Sequence, residues 1–202
     1  MQMLKTILQL KDRILDNAVM FNLVRNITDS RNQNLNIIKK ELNAAPNEKV
    51  LDIGCGLGNL NRATDGSYTG IDLNKSFINF AKKNYANKNK NFIVMDVTKL
   101  SFKNKSFDKS MFISMLHHFS DEENEKILRE ASRVTKKYMI VLDLLPTKGI
   151  LTNFLYKMDR GSHIRPLEEQ FKLVKKHFKI LKYKKYGALM SSHSLMVCRP
   201  LK

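Results

Sequence analysis

Cysteine is scarce in this chain: it occurs twice in 202 residues, at Cys55 and Cys198. Two cysteines cannot form a disulfide framework, and no spacing of His, Cys and carboxylates suggests a metal site. No uninterrupted apolar run approaches the roughly 20 residues that a membrane-spanning helix needs. The N-terminal MQMLKTILQLKDRILD is broken by Lys5, Lys11, Asp12 and Arg13, so it lacks the apolar core of a signal peptide. There is no internal repeat, low-complexity linker or domain break. These absences lead to the expectation of one reduced, cytoplasmic domain. Acidic residues are also few, 19 against 36 lysines and arginines, which leaves a formal charge of +17. A positive field of that size suits nucleic acid, an anionic membrane surface or an acidic substrate, although lysines on solvated faces also serve solubility alone.

A hydrophobic fraction of 43% is enough for a core, and it is distributed in two patterns. Up to about residue 45, apolar residues recur at helical spacing: Leu4, Ile7, Leu8, Ile14, Leu15, Val19, Leu23 and Ile27, then Leu35, Ile37, Ile38 and Leu42. After Pro46, short apolar runs (KVLDI, YTGI, NFIVM, KSMFISM, YMIVLDLL) alternate with amphipathic helices, and two further strand candidates, FKILKYKKYG and SLMVCRP, close the chain. Strand–helix alternation predicts a parallel sheet with helices on both faces, an α/β architecture. Ser120 and Glu123 form a capping-box pattern ahead of a helix carrying Ile127, Leu128, Ala131 and Val134 on one face. Pro166 suits the first turn of another.

Three of the eight glycines fall within five residues, in VLDIGCGLGN (Val50–Asn59), between a strand and a helix. In a doubly wound sheet that turn lies at the carboxyl edge, where ligands bind. Glycine there lets the backbone turn sharply and approach a ligand closely. Asp72, in YTGIDLN, ends the next strand at the distance from the loop that suits a ribose diol. The dinucleotide fingerprint is G-x-G-x-x-G, whereas this spacing is G-x-G-x-G with Asn59 in place of the third glycine. Asp52, just ahead of the loop, matches a cationic group better than a pyrophosphate. A ligand with adenine, ribose and an amino group but no phosphate is S-adenosylmethionine.

Over roughly 49–141 the sequence resembles the class I S-adenosylmethionine-dependent methyltransferases, of the small-molecule "type 11" group. The D-x-G-x-G-x-G pattern is met at Asp52, Gly54, Gly56 and Gly58, the ribose acid at Asp72, the adenine-contacting acid at Asp96, and the fourth-strand segment by ISMLHHF, Ile113–Phe119. The resemblance implies a three-layer Rossmann-like fold with a seven-stranded, mostly parallel sheet and an antiparallel edge strand. It implies S-adenosylmethionine as cofactor and S-adenosylhomocysteine as product. The cofactor residues it implies are Asp52, Gly54, Cys55 (through its backbone), Gly56, Gly58, Asn59, Asp72, Leu73, Asp96, Val97 and Ser114. The helix after Gly58 is shorter than the family's pattern, since Gly70 follows so soon.

His117 and His118, at the end of the fourth strand, are the candidates for a general base or an acceptor contact. In DLLPTKGILTNFLYKMDRGSHIRP, apolar Phe154, Leu155, Tyr156 and Met158 accompany Asp159, Arg160, His163 and Arg165. Phe21, Arg160, His163 and Arg165 are expected to contact an acceptor with an apolar body and an acidic group. The single domain divides into an N-terminal helical lid (1–45), a cofactor-binding core (46–145) and an acceptor-side segment with the final strands (146–202). A small-molecule or lipid-like acceptor is the leading expectation. An RNA or protein acceptor, or a non-catalytic nucleoside-binding relative, stands as the alternative, although the fourth strand lacks the N/D-P-P-Y motif of base-amino methylases.

Overall fold

Strand β1 (Lys49–Ile53) is buried from Val50 to Ile53 on both faces, as a continuous apolar run requires when helices cover both sides of a sheet. It is an interior strand of a seven-stranded sheet in a computed structural model that describes residues 31–147, 163–188 and 191–201. The other strands are β2 (Ser67–Asp72), β3 (Lys90–Val94), β4 (Phe107–Ile113), β5 (Thr135–Leu145), β6 (Phe178–Ala188) and β7 (Ser191–Pro200). Their order is β3-β2-β1-β4-β5-β7-β6. Strands β1 to β5 pair in parallel, and β7 lies antiparallel between β5 and β6. The antiparallel element expected at one edge is therefore a hairpin whose last strand lies inside and whose first strand, β6, is outermost.

Period-two alternation sends each strand's side chains into two separate cores. From β5, Met139, Val141 and Leu145 pack with Ile127, Leu128, Ala131 and Val134 of α3 (Asp121–Val134) and with Leu167, Leu173 and Val174 of α4 (Leu167–Lys175). Ile140 and Leu142 of the same strand pack with Ile38 and Leu42 of α1 (Arg31–Leu42) and Ile78 and Ala81 of α2 (Lys75–Tyr85). The result is the three-layer α/β/α sandwich. Helix α3 begins with the expected reciprocal cap: Ser120 Oγ accepts from the Glu123 N–H at 3.3 Å, and Glu123 accepts from the Ser120 N–H at 2.9 Å. The part of the expected N-terminal lid that is described, α1, is a layer helix: Ile38 and Leu42 are buried in the second core, so their apolar stripe is spent on the sheet.

The short connection after β1 is a 3-10 turn, Asn59–Ala63, pinned from below by Lys90. The Lys90 ammonium donates to the carbonyls of Asn61 (2.9 Å), Thr64 (2.5 Å) and Gly66 (3.2 Å). Strand order reverses between β1 and β4, and such a reversal opens a crevice at the carboxyl ends of the strands.

Candidate active site

The glycine turn sits at that crevice, and its geometry explains the residue types. Gly54, Gly56 and Gly58 all have positive φ (76°, 53° and 76°), a region that side chains disfavour. A Cβ on Gly54 would lie 2.3 Å from Met115 Cε, and one on Gly58 would lie 2.5 Å from Phe92, so neither position admits another residue without displacement. A Cβ on Gly56 would meet nothing within 4 Å: its flank is open space. The turn is tied to β2 by the Gly54 and Cys55 N–H groups, which both donate to the Ile71 carbonyl at 2.8 Å. The Cys55 thiol fills the hollow left by Gly70, and burial pushes its pKa well up, so the thiol serves as packing.

Asp72 closes the turn. One carboxyl oxygen accepts from the Gly56 N–H and the other from the Asn74 N–H, both at 2.9 Å. Burial raises its pKa while those two N–H groups pull the other way. Beside it, Leu73 is 69% exposed, and Val94, in register with Asp72 on β3, is 38% exposed. Two exposed aliphatic residues next to a carboxylate and an open glycine flank fit a nucleoside: an apolar surface for a purine face and an acceptor for ribose hydroxyls. Val94 escaped the sequence reading because strand alternation alone cannot say that a strand end is uncovered. Asp96, exposed at the end of β3, accepts from the Thr98 N–H (2.8 Å) and hydroxyl (2.7 Å), which hold its carboxyl below the ordinary range. Val97 beside it is buried in the first core, which leaves its backbone rather than its side chain for a ligand. Asn59 accepts from the Tyr85 hydroxyl at 3.1 Å, a bond that fastens the 3-10 turn to α2.

Asp52 differs from expectation. It is 1% exposed, and its carboxyl accepts from the Tyr68 hydroxyl at 2.6 Å, so it sits behind the glycine turn instead of presenting a face to a cation. Burial pushes its pKa up to about 7, the Tyr68 hydrogen bond opposes the rise, and the charge of Asp72 adds to it. The folded protein thus keeps a proton on Asp52 that an unfolded chain has lost above about pH 4. The stability linked to this group is fully present below about pH 4, declines as pH rises to about 7, and is constant beyond, with a slope of at most about 1.4 kcal/mol per pH unit. In urea unfolding across pH 4–7, Asp52→Asn should remove that decline relative to the wild-type chain. A variant with the wild-type slope would mean that Asp52 is ionised throughout.

The end of β4 forms the other wall. Ser114 has φ 54° and donates its N–H to the Leu142 carbonyl at 2.7 Å, and Leu116–His118 make a 3-10 turn. Asp143 of β5, 1% exposed, organises this turn. Its carboxylate accepts from the N–H groups of Leu116 (2.6 Å) and Leu144 (2.7 Å) and lies 2.6 Å from His117 Nδ1. With two backbone N–H groups already donating to that carboxyl group, the proton between it and the ring is assigned to Nδ1. His117 is buried and held, with the half-buried His118 ring 4.2 Å away. That burial makes His117 a poor direct contact for an acceptor and leaves His118 as the reachable member of the pair.

Arg165 also departs from expectation. Nε donates to Asp121 at 2.8 Å, Nη1 to the carbonyls of Leu116 and His163 (both 2.9 Å), and Nη2 to the Phe119 carbonyl (2.8 Å), while Nη2 and the Asp121 carboxylate form an ion pair at 2.7 Å. Four of its N–H groups donate within the protein, and the residue is 7% exposed and ion-paired with Asp121, so it is committed to the fold and not presented to an acceptor. Its role is to strap the 116–119 turn, together with Asn124, whose Nδ2 reaches the Leu116 and Phe119 carbonyls. The exposed His163 joins the strap through its N–H, which donates to the His117 carbonyl at 3.0 Å. Phe21 and Arg160 lie outside the described residues, as do residues 1–30 of the expected lid and 148–162 of the acceptor-side segment. Among the described residues, no cluster of His, Cys and carboxylates could hold a metal ion, and no helix is long and apolar enough to cross a membrane.

Comparison with known proteins agrees with this geometry. Residues 50–138 match the family described as "Methyltransferase domain". The chain is 30% identical over 149 residues to a demethylmenaquinone methyltransferase of Thermotoga maritima, covering 70% of this chain and 63% of that protein. It is 31% identical over 134 residues to a phthiotriol/phenolphthiotriol dimycocerosates methyltransferase of Mycobacterium ulcerans, covering 61% and 46%. The chain thus spans about half to two thirds of the length of these relatives. Its fold matches that of magnesium protoporphyrin IX methyltransferase from Synechocystis, crystallised with S-adenosylhomocysteine, at a TM-score of 0.70 and 18% identity over 92% of this chain and 96% of that one. The glycine turn and the acid ending β2 lie within the 50–138 stretch that matches the methyltransferase domain, and the sheet has the Rossmann-like fold of S-adenosylmethionine-dependent methyltransferases.

Proposed function

We propose that this protein binds S-adenosylmethionine in the crevice at the carboxyl ends of β1, β2 and β3 and transfers its methyl group to a lipid-like small molecule. The observation that carries the reading is the Gly56–Asp72 contact, which places a carboxylate beside an open glycine flank and two exposed aliphatic residues. Asp72 accepts from the ribose hydroxyls, Leu73 and Val94 pack on the purine, and Asp96 accepts from the adenine amino group. Asp52 supports the floor of the site from behind. When bound, the cofactor supplies a methyl carbon already activated by its sulfonium. The chain's own task is therefore alignment and exclusion of water, which can contribute several kcal/mol without a dedicated base. The turn from Ser114 to His118, fixed by Asp143, Arg165 and Asn124, forms the wall against which an acceptor is held, and His118 is the residue placed to take a proton.

The relatives named for demethylmenaquinone and for dimycocerosates support an acceptor with a large apolar body. Two measurements test the reading. Calorimetry should detect S-adenosylhomocysteine and only weak NAD; tighter NAD binding would overturn the cofactor assignment. Tritiated methyl transfer from labelled S-adenosylmethionine, offered lipid, metabolite, RNA and protein fractions, should label the lipid or metabolite fraction. Label confined to RNA or protein would replace the acceptor class while keeping the chemistry.

A further inference from the structure

The last stretch of the chain carries a charge that methyl transfer does not use. From Gln170 to Lys202 there is no acidic residue, while Lys172, Lys175, Lys176, Lys179, Lys182, Lys184, Lys185, Arg199 and Lys202 are all basic. This segment builds most of α4 and the hairpin whose outer strand, β6, ends the sheet. Acids elsewhere neutralise part of it: Glu41 pairs with Lys182 (2.7 Å) and Lys184 (2.9 Å), and Glu125 pairs with Lys176. Among the described residues no carboxylate pairs with Lys175 or Lys185. Between these lysines lies apolar surface. Leu181, at a bulge in the β6–β7 register, is 41% exposed, and Tyr183 is 53% exposed. The Tyr183 ring meets Phe171 of α4 edge-on at 5.1 Å, and Lys175 lies over the Phe171 ring at 5.5 Å.

We infer that this face, formed by β6 and α4, docks the protein on an anionic lipid surface. Lysine stems lie along apolar surface while their ammonium groups reach anionic headgroups, and tyrosine suits the boundary between the two. The same lysines argue against a second copy of the chain adding a strand to β6, because charges on an edge strand oppose edge-to-edge pairing and two copies would repel. They also favour a lipid surface over RNA. The patch offers point charges without arginine forks, and its aromatic ring already packs against Phe171 in place of standing as an open stacking platform. Strand β6 runs parallel to β5, so its C-terminal end reaches the carboxyl edge of the sheet that holds the glycine turn. Docking through β6 would therefore bring that edge towards the bilayer.

The test is sedimentation of the full chain with vesicles of phosphatidylcholine alone and with about 30% phosphatidylglycerol, at near-physiological salt. Binding should require the anionic lipid. Combined Lys175→Gln and Lys185→Gln should lower partitioning by about 25-fold, given about fivefold per lysine near an anionic surface. Leu181→Ser with Tyr183→Ser should lower it severalfold at unchanged net charge. Retained S-adenosylhomocysteine binding by the variants would show that they are folded and would separate this surface from the cofactor site. The inference is overturned by absent binding to anionic vesicles, by variants that bind as the wild type does, by tight structure-selective RNA binding lost in the same variants, or by a dimer that these substitutions dissolve.

Discussion

Asp72→Ala should weaken binding of S-adenosylmethionine and S-adenosylhomocysteine by about ten- to a hundredfold, because a charge-assisted hydrogen bond to a carboxylate contributes roughly 1.5–3 kcal/mol. The loss has two sources in this site. The ribose loses its acceptor, and the Gly56 and Asn74 N–H groups lose the carboxylate that fixes the glycine turn. Asp72→Asn separates them. One amide oxygen can still accept from one of those N–H groups, but the charge is gone, so its affinity should fall between those of the alanine variant and the wild type. Calorimetry on both variants, with unfolding midpoints measured alongside, decides the matter. Wild-type affinity in Asp72→Ala would remove Asp72 from the ribose and, with it, the placement of the cofactor along β2.

The parts of this site that can be read from sequence are those built by neighbours in the chain. Asp52, Gly54, Gly56, Gly58 and Asp72 lie on two adjacent strands and the turn between them, and strand–turn–helix periodicity places them before any contact is known. The Ser120–Glu123 cap is legible for the same reason: both partners share one helical turn. What escaped depends on pairing across the sheet. Nothing local announces that Tyr68, read only as a strand residue, buries its hydroxyl on Asp52 sixteen positions away. Arg165 looked like a cation waiting for an acidic acceptor. Its partners Leu116, Phe119 and Asp121 lie more than forty residues earlier and are brought to it only when α4 folds against α3. Asp143 hid inside an apolar run, YMIVLDLL, where a single acid in a fully buried strand reads as an anomaly with no indicated partner.

That anomaly leads to the largest stability effect expected here. Asp143→Ala should destabilise the fold by about 3–5 kcal/mol, the range for breaking a buried charged network by removing one member. The carboxylate is the acceptor for two buried backbone N–H groups, Leu116 and Leu144, and for the His117 ring. Alanine leaves three donors without it in a site closed to water, and each unsatisfied buried group costs about 1–3 kcal/mol. Against a typical total stability of about 5–15 kcal/mol, this is a large fraction. Asp143→Asn keeps one acceptor oxygen but turns an N–H₂ towards groups that also donate, so it should lie nearer the alanine variant than the wild type. The effect should also be local. Arg165 and Asn124 still hold the carbonyls of the 116–119 turn from the opposite side, so loosening should begin at the Leu116 N–H and spread to Met115, which rests on Gly54. Urea unfolding gives the magnitude, and amide exchange on Asp143→Asn gives the place: faster exchange should appear at Leu116 and Leu144 before β1 and β2 are affected. A loss below about 1 kcal/mol in Asp143→Ala, or exchange rising equally across the sheet, would show that Asp143 is an ordinary core position and that the methyl-side turn is held by something else.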